Sequence, residues 1–410
     1  MARAWRCASR ARALLCPFCR EGGHRCLRPR ARRRSSGAGA EGRGAVKIGI
    51  SCYASVGGSG IVATEIGNAL AARGHRVFFI CAERPFRFDA SAKNPSFERV
   101  AVNGYPPLQQ DLSVLSLAAK MAEVAAREAL DVLHVHYAVP HATAAFLAKQ
   151  ILGSAAPLKV VTTLHGTDIT LVGADPVLLP ITRFSIEASD AVTAVSRSLA
   201  EETKRTISDV PIDVIANFVD TARYAPGPAS LRQPMIVHHS NFRALKRVDD
   251  VVRVFAAVRA QRECELVLIG DGPERLAIEA MVGALGLTAS VRFLGERLDF
   301  ADVLQRASVG LFPSALESFG LAALEAMSAG VPIVATRVGG LPEVVGDGGV
   351  ICDLGDVGAM ATAVMHMLDD AAYREGLAAQ ARRIAVEVFP RERIIGEYEA
   401  IYRRVIRACP

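Results

Sequence analysis

From Ala45 onward the chain alternates short apolar runs with amphipathic stretches, and the series occurs twice. Val46-Lys-Ile-Gly-Ile-Ser-Cys52 reads as a buried strand. Ile61, Val62, Ile66, Ala69 and Leu70 then recur at helical spacing until Gly74 offers a C-cap. Further apolar runs at Val77–Cys81, Val132–Val135, Val160–Leu164 and Ala191–Val195 are separated by helical patterns near 111–129, 140–152 and 176–188. The second series places strands at Met235–His239, Glu265–Ile269, Val291–Leu294, Val309–Phe312 and Pro332–Ala335, with helices near 247–259, 274–284, 299–305 and 320–329. Asp220–Pro234, with Pro226, Gly227 and Pro228, reads as the linker between them. Alternation of this kind predicts parallel sheets covered on both faces. The fold class is therefore α/β: two doubly wound Rossmann-like domains facing each other across a cleft, with ligands at the carboxyl ends of both sheets.

Charge narrows the partners. The formal net charge of +6 invites a nucleic-acid reading, yet residues 1–44 hold 12 arginines against Glu21 and Glu41, and the rest of the chain is net acidic. No nucleic acid is expected. The same segment holds Cys7, Cys16, Cys19, Cys26 and the single tryptophan, Trp5. Cys16-Pro-Phe-Cys19 with His24 and Cys26 superficially resembles a zinc knuckle, but the spacing matches none of the usual paired patterns. Ala13–Phe18 is too short for a signal-peptide core, so residues 1–44 are expected to be a disordered basic leader. The other cysteines, Cys52, Cys81, Cys264, Cys352 and Cys409, are scattered as reduced intracellular thiols are, which suggests a cytoplasmic protein. No apolar run approaches the roughly 18 residues of a membrane helix, so no membrane partner is expected.

Three groups of residues carry chemistry. Gly57-Gly58-Ser59-Gly60 follows the first strand and opens a helix, where free N–H groups suit a phosphate; Gly58-x-Gly60-x-x-Ala63 also fits a dinucleotide fingerprint, which keeps an NAD-linked oxidoreductase as an alternative. Thr163-Leu-His165-Gly166-Thr167-Asp168 ends a buried strand and aims His165 at the cleft mouth. His134 and His136 share a strand face as a metal pair could, but no cysteine or acid at matching spacing completes a site, which favours packing and substrate contact. In the second half, Ser240-Asn-Phe-Arg243-Ala-Leu-Lys246 brings cations to a strand end, and Gly270-Asp-Gly272-Pro273 ends the next. Glu317-Ser318-Phe319-Gly320-Leu321 leads to Glu325, just over two helical turns beyond Glu317. Two acids, a helix N-terminus and nearby cations describe a sugar-nucleotide site.

These motifs resemble the retaining glycosyltransferase family 4. Within it, the Cys52, His134–His141, Thr163–Thr170 and Ser240–Val248 blocks resemble the branch that moves N-acetylglucosamine from UDP-GlcNAc to L-malate in bacillithiol biosynthesis. The resemblance implies a GT-B fold: residues 45–225 as the acceptor domain, 226–388 as the UDP-sugar donor domain, and 389–410 as a C-terminal helix packing back on the first. It implies that Glu317 holds sugar hydroxyls, Glu325 holds ribose hydroxyls, and Arg243 and Lys246 neutralise the diphosphate with N–H groups at Phe319–Leu321. His165 would contact the sugar, and Gly57, Gly58, Ser59 and Thr167 would border the substrates, with Gly272 and Ser318 beside the donor. Leu108-Gln-Gln-Asp111 departs from the further tyrosine the family carries near the acceptor. No cofactor or metal is implied, and a homodimer is compatible. Alternative acceptors are inositol phosphate or a lipid-linked sugar.

Overall fold

The first half of the chain supplies seven strands: β1 (Lys47–Ser51), β2 (Arg76–Cys81), β3 (Ser96–Arg99), β4 (Val132–His136), β5 (Lys159–Leu164), β6 (Ala191–Ala194) and β7 (Ile212–Val214). They form one parallel sheet in the order β3-β2-β1-β4-β5-β6-β7. The second half adds β8 (Met235–His239), β9 (Glu265–Ile269), β10 (Val291–Phe293), β11 (Val309–Phe312), β12 (Ile333–Thr336) and β13 (Gly349–Cys352), parallel in the order β10-β9-β8-β11-β12-β13. This is a computed structural model, and it describes residues 44–54, 58–101, 113–155, 157–297 and 299–408. The expected leader at 1–44 (Gly44 apart), Gly57 and the Leu108–Asp111 segment lie outside the described residues.

The central strands are the continuous apolar runs, because a strand covered by helices on both faces has no side for water. Ile48 and Ile50 of β1, Leu133 of β4 and Val237 of β8 are fully buried. The sheet order reverses direction between β1 and β4 in the first sheet and between β8 and β11 in the second. A crevice opens at each such point, outside the carboxyl ends of the strands. Three strands escaped the sequence pattern: β3, β7 and β13 are short edge strands whose residues are mostly only half-buried. An edge strand needs no long apolar run, so hydrophobic patterning under-reports it.

After Val219 the chain crosses to the second sheet, and it returns where Val219 bridges Pro390. Arg382 holds the crossing by donating to the carbonyls of Thr221, Tyr224 and Ser328. The last helix, Arg391–Arg407, then lies against the first sheet. Its Tyr402 hydroxyl is 2.8 Å from His134 Nδ1, and Glu399 accepts from His75 Nε2 at 3.1 Å. Among the described residues no helix is long and apolar enough to cross a membrane.

Candidate active site

One wall of the cleft is made by loops leaving β1, β4 and β5. The helix Gly58–Ala72 begins there with its N-terminus toward the cavity, and Ser59 Oγ accepts from the Tyr137 hydroxyl at 2.8 Å. Asp168 is fully buried and ties two of these loops together: it accepts from the main-chain N–H of Gly166 (2.8 Å), His165 (3.2 Å) and Ala138 (3.3 Å). Burial disfavours its charged form and pushes its pKa up to about 6, with the three N–H groups opposing. His165 projects just beyond β5, with Nε2 at 2.8 Å from His136 Nδ1. Burial also pushes His134 down to about 3 and His141 to about 4, so these rings are neutral groups at pH 7.

The opposite wall comes from loops after β8 and β11. Lys246 Nζ meets Glu317 Oε2 at 2.5 Å, both side chains half-buried. Arg243 is exposed, with no ion pair among the described residues. Gly320, at φ 105°, turns the chain into the helix Leu321–Ser328 in a conformation that side chains resist. No acidic residue sits in that helix's first turn, so its N–H groups face the cavity unopposed. Glu325 rides lower on the same helix, 7% exposed, and accepts from His239 Nε2 at 3.1 Å.

The two walls touch. At Gly166, φ 111°, a Cβ would lie 1.5 Å from Ser318 Oγ, so only glycine permits the approach. Ser196 Oγ donates to Ser318 O at 2.6 Å, and Glu343 accepts from the first N–H groups of the helix Arg197–Thr206, Arg197 at 3.1 Å and Ser198 at 2.8 Å. Among the described residues two adjoining cavities, of about 390 and 620 Å³, share Gly58, Asn241, Lys246, Glu317 and Leu321. The smaller has the mixed polar walls a sugar needs; the larger runs past Ile269 and Phe300 to Glu325.

Residues 56–223 match the family model described as Glycosyltransferase Family 4, and residues 233–370 match Glycosyl transferases group 1. The N-acetyl-alpha-D-glucosaminyl L-malate synthase of Bacillus anthracis is 45% identical over 374 residues, covering 88% of this chain and 98% of that protein. This chain belongs to glycosyltransferase family 4. Solved structures agree on the GT-B fold. Sucrose-phosphate synthase from Thermosynechococcus elongatus superposes with a TM-score of 0.75 at 23% identity, covering 89% of this chain and 100% of that one. Anabaena HepE in complex with UDP and glucose gives 0.75 at 19%, covering 87% and 99%.

In this family 4 enzyme most of the residues expected from sequence converge. Gly58, Ser59, His165, Thr167, Arg243, Lys246, Glu317, Ser318, Phe319, Gly320 and Leu321 border the smaller cavity, and Glu325 borders the larger. Gly272 lines neither. A Cβ there would meet the Asn241 carbonyl at 2.1 Å, so this glycine lets two loops close on each other. Sequence reasoning did not single out Tyr137, Asn241, Asn217, Arg87 and Phe300. Tyr137 and Asn241 stand inside the His134–His141 and Ser240–Val248 blocks and could have been read from them. Arg87 and Asn217 lie in loops without a local signature.

Proposed function

We propose that this family 4 glycosyltransferase is a cytoplasmic enzyme that transfers N-acetylglucosamine from UDP-GlcNAc to the hydroxyl of L-malate with retention, the first step of bacillithiol biosynthesis. The observation that carries the reading is the 45% identity to the Bacillus anthracis synthase across 98% of that protein, which spans both walls of the cleft. On this reading uridine occupies the larger cavity with its ribose hydroxyls on Glu325. The diphosphate lies at the N-terminus of the helix Leu321–Ser328 beside Arg243 and Lys246, and the sugar enters the smaller cavity between Glu317 and His165. Malate approaches from the Gly58–Ser59 side, past Thr167.

The chemistry follows from what surrounds the sugar. A double displacement needs two carboxylates about 5 Å apart, one as nucleophile. Among the described residues bordering the smaller cavity Glu317 is the one carboxylate, and Lys246 holds it. Front-face attack fits better: the bond from the anomeric carbon to the diphosphate oxygen breaks as the malate hydroxyl oxygen bonds to the same face. The hydroxyl proton passes to the departing phosphate. Arg243, Lys246 and the helix N–H groups stabilise the charge that grows on UDP. The experiment is UDP release from UDP-GlcNAc with L-malate, set against other hydroxy acids and inositol phosphate, with the anomer assigned by NMR. Turnover with inositol phosphate and none with L-malate overturns the acceptor; a β-linked product overturns the mechanism.

A further inference from the structure

His136, at the carboxyl end of β4, is fully buried and lines neither cavity, but it meets His165, which borders the smaller one. Its Nδ1 is 2.8 Å from His165 Nε2, while its own Nε2 is buried without a hydrogen-bond partner among the described residues. The two rings are stacked, with centroids 5.1 Å apart. On the far side, His134 lies 4.4 Å from His136 and is itself pinned by Thr163 Oγ1 and the Tyr402 hydroxyl. Both members of the His136–His165 pair are neutral, because burial and neighbouring imidazoles hold them well below the usual histidine range. A neutral pair at this distance shares one proton donor, and two arrangements are possible. If His165 donated from Nε2, His136 would carry its proton on its other nitrogen, a buried N–H with nothing to receive it. If His136 donates from Nδ1, only a lone pair is left unused. Buried orphan N–H groups are rarer than under-used acceptors, which decides between the two.

We propose that His136 is a positioning residue: it donates from Nδ1 to His165 Nε2, which places the His165 proton on Nδ1 and makes that atom a hydrogen-bond donor to substrate. His165 borders the smaller cavity, and its Nδ1 has no hydrogen bond among the described residues. The atom it meets must be an acceptor oxygen, on the reading above a hydroxyl of the transferred sugar. That last assignment rests on the proposed function; the tautomer does not.

The test is the ring-nitrogen spectrum of ligand-free, 15N-histidine-labelled enzyme, in which protonated and bare nitrogens are resolved. Wild-type His165 is expected to carry its proton on Nδ1. His136→Asn places an amide nitrogen near the Nδ1 position and should keep both that tautomer and most of the turnover. His136→Gln reaches only the Nε2 position, so His165 should shift to the Nε2–H form that a free histidine side chain prefers. Its kcat should fall roughly 10- to 100-fold, the range seen when a partner that orients a metal-bound histidine is removed, with a smaller change in the KM for the donor. A wild-type His165 protonated on Nε2 overturns the proposal, as does a His136→Gln enzyme with the wild-type His165 spectrum. The wild-type measurement needs no variant and no substrate, so it stands apart from both misfolding and the identity of the acceptor.

Discussion

Arg243 and Lys246, alike in sequence, differ in the structure. Lys246 is bound to Glu317 at 2.5 Å, whereas Arg243 is exposed and has no ion pair among the described residues. On the proposed reading both cations face the leaving diphosphate, and the guanidinium is the one that no carboxylate among the described residues already holds. Charge on the diphosphate grows as the anomeric bond breaks, so the contact strengthens toward the transition state. Arg243→Ala should lower kcat on the order of 10²-fold, the scale found when one preorganised donor to a developing anion is lost. Arg243→Lys should rescue poorly, since an ammonium cannot reproduce a planar two-pronged contact with phosphate oxygens. Steady-state kinetics decide it: a normal kcat with only a raised KM for the sugar nucleotide would contradict this role.

Among the elements, the loops after β4 and β5 depend on one buried acid. Asp168 joins them through three main-chain N–H groups, and its pKa is raised to about 6. The folded state thus binds its proton more tightly than the unfolded chain does. Its contribution to stability is larger below that pKa and is lost as pH rises through about 6. Asp168→Asn removes this titration and leaves a single carbonyl oxygen where two carboxylate oxygens accepted. Denaturant melts of wild type and variant should diverge in favour of wild type from pH 7 to pH 5, by at most roughly 1.4 kcal/mol per pH unit. A constant difference over that range would show that the carboxyl does not titrate there. The variant should also lose turnover, because His165 and Tyr137 sit on the two segments it loosens.

At the scale of the molecule, neutral histidines make the enzyme acid-labile. His238 donates from Nδ1 to the Leu311 carbonyl and accepts at Nε2 from the Ser240 hydroxyl, and burial pushes it down to about 3; His134 is held at about the same value. A depressed histidine binds its proton in the unfolded chain first, so the stability it confers is lost as pH falls below about 6.5. Each contributes a slope of roughly 1.4 kcal/mol per pH unit. The two together outweigh the opposite effect of Asp168. The denaturant midpoint should fall from pH 7 to pH 5, and His238→Asn should flatten the fall by about one proton's worth; an unchanged midpoint would sink the account. His134 also hydrogen-bonds Tyr402 of the C-terminal helix, so acid should release that helix from the first sheet early.

Local pattern was enough to reveal the two parallel sheets and to mark their carboxyl ends, because buried strands are continuous apolar runs and several of them are followed by glycine or a helix start. Ser59, His165, Arg243 and Glu317 could be placed on the cleft from that alone. Edge strands such as Ser96–Arg99 could not be seen, since half-exposed residues carry little patterning. Nor could the pairings that define the site. His136 meets His165 only because β4 and β5 are in register, His136 opposite Thr163. Gly166 meets Ser318 only because the two sheets close on one another. Tyr402 reaches His134 across 268 positions once the chain has crossed back at Pro390. Periodicity and turn chemistry act over a few residues, so sequence records them directly. Strand register and the closure of two sheets set distances between remote side chains, and these distances decide which histidine nitrogens meet and which cation is left without an ion pair among the described residues.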